Sequence, residues 1–460
     1  MYFNTLEYFG FFLLVWASLR YIPGPATILF VASIIFYIVA GWFDTTLIAL
    51  LIVANWVLLS YVSTPKPRII LAVIVNVGVL VAVKYRVLLG GDPGHDPTAF
   101  VDMVLPLGIS FYTFQLLAYQ IDTARDASLR ERDPKTFTLF IIFFPQLIAG
   151  PIVRARQLLP QIRALSSKRS PRLRFYTYGL LLCALGLSKK ILFADSLAPI
   201  VDDIFYLGPT STGEAWTGAW LFTFQIYFDF SGYSDIAIGS AYLLGIRLPR
   251  NFQTPYLSTS PREFWRRWHI TLSTWIRDYL YIPLGGGKGL RTQQYAVLVM
   301  VMGIAGLWHG ANSTFVIWGF LWGLYIALHR FFGRLIRSSP NASEVFSASV
   351  AKAFLWGCHI LVVVVLWVFF RAENLTGALE YLSVMFSVPN SFSDQVFFVF
   401  IGSALLMVLH GVEATAAQIT SLMRLRRFNS PFVWGFLGGL CLWLILLPSY
   451  TQNPFIYFRF

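Results

Sequence analysis

Long apolar runs recur along this chain from end to end, and they constrain its fold more than any motif does. They occupy 11–21, 26–42, 45–62, 69–87, 100–119, 176–193, 215–246, 295–307, 315–332, 353–370, 396–412 and 432–447. At roughly 20 residues per crossing, this pattern predicts an all-α, polytopic integral membrane protein with about 11–12 transmembrane helices. Of its 460 residues, 57% are hydrophobic and only 12% charged, whereas a soluble domain carries about 25% charged residues. A cytosolic enzyme, a disordered scaffold and a soluble nucleic-acid binder are thereby excluded. The 42 Phe, 22 Tyr and 15 Trp also run against an outer-membrane barrel, whose strands alternate apolar and polar residues.

The net charge of +13 needs no nucleic-acid partner, because positive cytoplasmic loops account for it. Lys66 and Arg68 lie in 63–69, whereas 90–99 has two acidic residues and no basic one. The stretch 154–174 holds Arg154, Arg156, Arg163, Lys168, Arg169, Arg172 and Arg174 without an acid. Conversely, 194–214 holds Asp195, Asp202, Asp203 and Glu214 without a base, and 330–337 and 424–427 are basic again. This alternation makes 154–174 a cytoplasmic basic loop and 450–460 an extracytoplasmic tail, with both termini outside the cytoplasm. The run 137–152, interrupted by Pro145, Gly150 and Pro151, breaks the alternation and is expected to be re-entrant, its backbone covered by protein or a water-filled cavity. No linker or repeat divides the chain, which is read as one membrane-embedded domain over 1–460 with a core at 105–335. Its three cysteines are far apart, so neither a disulfide nor a metal site is expected. The first residues carry no basic, cleavable leader pattern, and no removable signal peptide is expected.

Ionisable residues within apolar segments are costly and functional by default. Asp229, Tyr233 and Asp235 fall in 227–239; they read either as lining a site or as carboxylates bonded to nearby hydroxyls such as Tyr233 and Ser234. From Arg262 to Tyr279, steps of three and four place Phe264, Trp268, Leu272, Trp275 and Tyr279 on one stripe. Arg262, Arg266, His269, Ser273 and Arg277 form the other, which predicts an amphipathic helix lying in the interface with His269 on its polar face. A surface histidine beside lipid headgroups is the alternative. In 303–312 (GIAGLWHGAN), His309 closes an apolar span next to Trp308, with Asn312 one helical turn on. A neutral imidazole can take the proton of a hydroxyl as its oxygen attacks an acyl carbon; a hydrogen-bonded core histidine is the alternative. Gly303, Gly306 and Gly310 leave room for a chain or helix to approach. His329, His359 and His410 read as core histidines, and His95 lies in a polar loop. No nucleophile elbow, phosphate loop or zinc motif is present.

Those same residues carry a family resemblance. LPLGISFYTFQLLAYQID (105–122), FFPQLIAGPI (143–152), YFDFSGYSDIAIG (227–239), NFQTPYLSTSPREFWRRWHITLSTWIRDYLYIPLGG (251–286) and LWHGAN (307–312) resemble the membrane-bound O-acyltransferase family, in particular its bacterial type that O-acetylates exopolysaccharides such as alginate. The resemblance implies a tunnel through a helical core, with His309 as principal catalytic histidine and His269 as second site residue. It further implies acetyl-CoA as acyl donor without any bound cofactor, and a periplasmic acetyltransferase partner that completes transfer to a polysaccharide. The cytoplasmic inner membrane of a bacterium is the implied location. Arg250, Arg262, Arg266 and Arg267 are the candidate partners for the donor's phosphates. The end Phe455–Phe460 resembles an FxYxxF tail, in which Tyr457 would relay the acyl group; an aromatic interface anchor is the other reading. Two alternative functions stand beside acetyl transfer: D-alanyl transfer to teichoic acids, and a secondary transporter or lipid-linked glycan flippase using Asp229, Asp235 and the histidines.

Overall fold

The computed structural model describes residues 3–85, 106–147, 150–165, 173–337, 348–387, 401–413, 430–447 and 455–456. Outside the described residues lie the acidic loop 90–99, Lys168, Arg169 and Arg172 of the basic stretch, the loop 424–427, and Tyr457. Among the described residues every regular element is helical and no strand occurs, as the apolar runs predict. Four helices, α3 (Trp42–Tyr61), α4 (Pro65–Lys84), α15 (Ser313–Arg337) and α16 (Ala348–Arg371), are at once long and apolar enough to cross a membrane. The described residues group into two compact units.

The first unit comprises Met1–Ser188, Gly232–Arg250 and Thr420–Pro448. It opens with α1 (Leu6–Tyr21) and α2 (Pro25–Ala40), followed by α3 and α4. Leu50, Val53 and Ile74 on α3 and α4 are exposed, a disposition that suits lipid rather than water. The inner faces of the same two helices carry Asn55 and Asn76, whose side-chain amides exchange hydrogen bonds of 3.0 and 3.1 Å. Gln120 of α5 (Ile109–Arg125) joins them, donating to the Asn55 carbonyl at 2.8 Å. Polar side chains pair across helices because hydrocarbon offers them no other partner.

The interrupted run 137–152 forms α6 (Pro134–Ile142) and α7 (Phe144–Leu147), each too short to cross. Both Gln115 Nε2 (2.7 Å) and Gln146 Nε2 (3.0 Å) donate to the carbonyl of Phe140 that the break exposes. Broken backbone at membrane depth requires this kind of protein cover. Next come α8 (Ala155–Leu165) and α9 (Leu173–Leu187). The latter meets the C-terminal part of α11 (Thr212–Leu243) at Gly186, where an added Cβ would lie 2.5 Å from the Gly232 carbonyl oxygen.

The second unit comprises Lys189–Ser231, Asn251–Ile419 and Ser449–Phe460. A π-helical turn (Ser188–Ala194) leads into α10 (Asp195–Leu207) and then α11. Beyond the extended segment that starts at Asn251 come α12 (Pro261–Arg267) and α13 (Ile270–Ile276). The hairpin of α14 (Arg291–His309) and α15 follows, then α16, α17 (Leu375–Met385) and α18 (Ile401–Glu413). α19 (Pro431–Leu446) belongs to the first unit, where Trp434 Nε1 donates to Thr177 Oγ1 on α9.

Candidate active site

The glycines of the 303–312 run set the position of His309. A Cβ at Gly306 would collide with the Phe315 carbonyl oxygen, and one at Gly319 with that of Met302. The α14 and α15 backbones therefore touch, and the sequence's room for a neighbour is filled by a helix. His309 ends α14 and is 4% exposed. The rings of Trp308, Trp318 and Phe370 stand around it at centroid distances of 4.8, 5.1 and 5.1 Å, all edge to face.

His269 reaches the same neighbourhood by another route. The expected continuous helix from Arg262 to Tyr279 does not form: α12 stops at Arg267, α13 starts at Ile270, and a π-helical turn occupies Arg277–Tyr281. Between α12 and α13, His269 adopts φ +41°, a left-handed conformation that L-residues seldom take. Its side chain is fully buried, at 0% exposure, rather than on a polar surface. The cause is Asn251, eighteen residues upstream. Its carbonyl accepts Ile270 N–H at 2.9 Å, and its Oδ1 accepts Thr271 N–H at 3.3 Å and Thr271 Oγ1 at 2.8 Å. Asn251 thus caps α13 from a distant segment, satisfying N–H groups that a helix start leaves orphaned. Periodicity alone does not reveal a cap of this kind.

The same Oδ1 lies 3.1 Å from His269 Nδ1. Because the Thr271 N–H can only donate, that end of Asn251 is oxygen, and His269 Nδ1 must be its donor. Burial lowers the His269 pKa to about 3, so the ring is neutral and carries its proton on Nδ1. Nε2 is left as a fixed acceptor, buried and with no hydrogen-bond partner among the described residues. Phe230 (4.6 Å) and Trp308 (6.2 Å) stand edge to face with this ring. Trp308 therefore contacts both imidazoles, and Asn251 is the site residue that the sequence reading did not single out.

Asp229 pairs with Lys190 and accepts a backbone N–H from the chain's C-terminal segment. Tyr233 and Asp235 belong to the first unit, where Tyr233 Oη donates to Asn4 Oδ1 at 3.1 Å. Asn312 is used structurally: its Oδ1 accepts the Thr314 N–H at the start of α15, and its Nδ2 donates to the Glu373 carbonyl. Ser273 Oγ donates to the Trp268 carbonyl at 3.2 Å. Arg262 and Arg266 are exposed on α12, whereas Arg267 is paired with Glu263 at 2.7 Å and Arg250 lies in the first unit. Of the core histidines, His359 has both ring nitrogens engaged, by Ser258 Oγ and Tyr325 Oη. His329 is exposed. His410 is buried beneath Tyr227 and Tyr256 with neither nitrogen hydrogen-bonded among the described residues.

Residues 11–370 match the MBOAT, membrane-bound O-acyltransferase, family model. The chain is 42% identical over 330 residues to a probable alginate O-acetylase of Azotobacter vinelandii, covering 72% of this chain and 61% of that protein. To a peptidoglycan O-acetyltransferase of Helicobacter pylori it is 36% identical over 399 residues, 78% of this chain and 73% of the relative. A teichoic acid D-alanyltransferase of Bacillus subtilis is more distant, at 30% over 257 residues, 52% of this chain and 62% of the relative.

Proposed function

As the chain belongs to the membrane-bound O-acyltransferase family, whose members transfer acyl groups to oxygen, we propose that it moves acetyl groups from cytoplasmic acetyl-CoA across a bacterial inner membrane for O-acetylation of an exported polysaccharide such as alginate. A periplasmic acetyltransferase partner completes delivery to the polymer. The observation that carries this reading is the pair of buried imidazoles on one indole, His269 and His309 about Trp308. D-alanyl transfer has weaker support, because the relative of that name matches about half of the chain.

In the proposed reaction His309 accepts the proton of an attacking hydroxyl as its oxygen bonds to the thioester carbon. The carbon–sulfur bond then breaks, and the proton passes to the departing CoA sulfur, so atoms and charge balance. Aromatic faces within about 6 Å of a cation stabilise it, which suits an imidazole that turns positive during the reaction. His269 has the opposite task. Polarising a carbonyl needs a donor, and the tautomer held by Asn251 presents an acceptor at Nε2; orienting the donor through one of its amide N–H groups fits that tautomer. Arg262 and Arg266 are the arginines of the proposed donor set that are exposed within the same unit as the histidines.

Mass analysis of surface polysaccharide from cells with and without the protein tests the assignment. Loss of polymer acetylation on deletion is the expected result, and unchanged acetylation contradicts it. Tyr457→Phe tests the relay in the same assay: acetylation at the wild-type level excludes a covalent role for that hydroxyl.

A further inference from the structure

Asp229 stands in the middle of a long apolar helix, where an ionised carboxylate is tolerated only if paired. Lys190 Nζ lies 3.0 Å from Asp229 Oδ1 and 2.9 Å from Asp195 Oδ1, with its side chain 1% exposed. One ammonium thus faces two carboxylates in a buried place. A further partner comes from the far end of the chain: the backbone N–H of Ile456 donates to Asp229 Oδ2 at 2.9 Å. A hydrogen bond to a charged acceptor is about twice as strong as a neutral one. Phe455 and Ile456 are held there by main chain and packing together, since both are buried. The Phe455 ring lies 5.3 Å from that of Phe230, which forms the edge-to-face wall of His269. Carboxylate, tail and histidine wall thus form one continuous set of contacts within the second unit.

We propose that Asp229, fixed by Lys190 and Asp195, is a positioning residue that seats the C-terminal segment against the Phe230 wall of His269. The seat grips the backbone amide of residue 456 and does not tolerate loss of that N–H. It also fixes the chain immediately before Tyr457. The role in transfer rests on the acetyl-transfer reading, whereas the seat itself does not.

The test compares Ile456→Val, Ile456→Pro, Asp229→Leu and the double variant Asp229→Leu/Ile456→Pro in the full chain reconstituted in lipid. Amide hydrogen exchange of the C-terminal peptide and acceptor-dependent thiol release from acetyl-CoA are both measured. Proline removes the donor and leaves Lys190, Asp195 and Asp229 intact, so loss of the buried ion pairs is not in question. Tail protection near the wild-type level is expected in Ile456→Val, which keeps the N–H and most of the buried side chain. Protection should be lost in Ile456→Pro, with thiol release falling on the order of 10- to 100-fold, as misplacement near a reacting group commonly does. The double variant should be no worse than Asp229→Leu alone, because that substitution already removes the acceptor of the Ile456 N–H. A protected tail in Ile456→Pro, multiplying effects in the double variant, or released protection with undiminished thiol release each overturn the proposal. If the wild-type chain releases no thiol, the acetyl-transfer reading fails, and exchange alone decides whether the seat exists.

Discussion

His269 and His309 contact the same indole, yet their surroundings are built on different principles. His269 is held by a specific hydrogen bond in a strained, left-handed break, and Asn251 both makes the break and fixes the tautomer. His309 ends a regular helix among aromatic rings, brought there by glycine-mediated packing of α14 on α15. Backbone strain of this sort costs on the order of 1–3 kcal/mol and persists where surrounding structure imposes it. The contrast assigns a fixed acceptor to one imidazole beside Trp308 and, in the proposed reaction, the base that becomes charged to the other.

Replacing each histidine should separate the two tasks. His309→Ala, at equal protein level in the membrane, should lower acceptor-dependent thiol release by about 10²–10⁴-fold, the usual worth of a general base. His269→Ala should cost less and raise the donor KM; the reverse ranking breaks the comparison. A pH profile sharpens it further. Wild-type His269 stays neutral across the physiological range because burial lowers its pKa to about 3. Asn251→Asp keeps the acceptor but sets a carboxylate beside the ring, which favours imidazolium and raises that pKa. Activity of this variant should fall as pH drops through the raised value, a limb that the wild type lacks from His269. For stability the sign is also fixed: between pH 6.5 and about 3 the unfolded chain binds the proton that folded His269 resists, so wild-type stability falls with pH there.

Smaller effects follow at the rim of the pair. Trp318→Leu removes one aromatic ring from the buried His309 and should cost about 30-fold in kcat, the scale of one desolvated cation–π contact. Arg266→Ala should raise the KM for acetyl-CoA by a few-fold with kcat unchanged, as expected for loss of an exposed charge. A kcat effect there would move Arg266 from donor binding into the chemistry.

The sequence makes legible what depends on local pattern. Apolar runs predict the helical membrane class, Pro145 and Gly150 mark the broken α6–α7 segment, and the glycines around His309 announce a close helix contact. Periodicity fails at His269, because the helix is interrupted by a cap from eighteen residues away. Asp229 shows the same limit. The expectation of nearby hydroxyl partners is local, whereas Lys190 and the Ile456 amide come from distant parts of the chain. Nothing in residue spacing encodes such pairings; they emerge once helices pack and buried charges must be satisfied.

The most direct test of the central claim reconstitutes the full chain in proteoliposomes with acetyl-CoA and a hydroxyl acceptor, and follows free thiol together with acetyl ester. Wild-type protein should release thiol and form ester in equal amounts only when acceptor is present, and His309→Ala should do neither. Equal release by His309→Ala and wild type would contradict the claim.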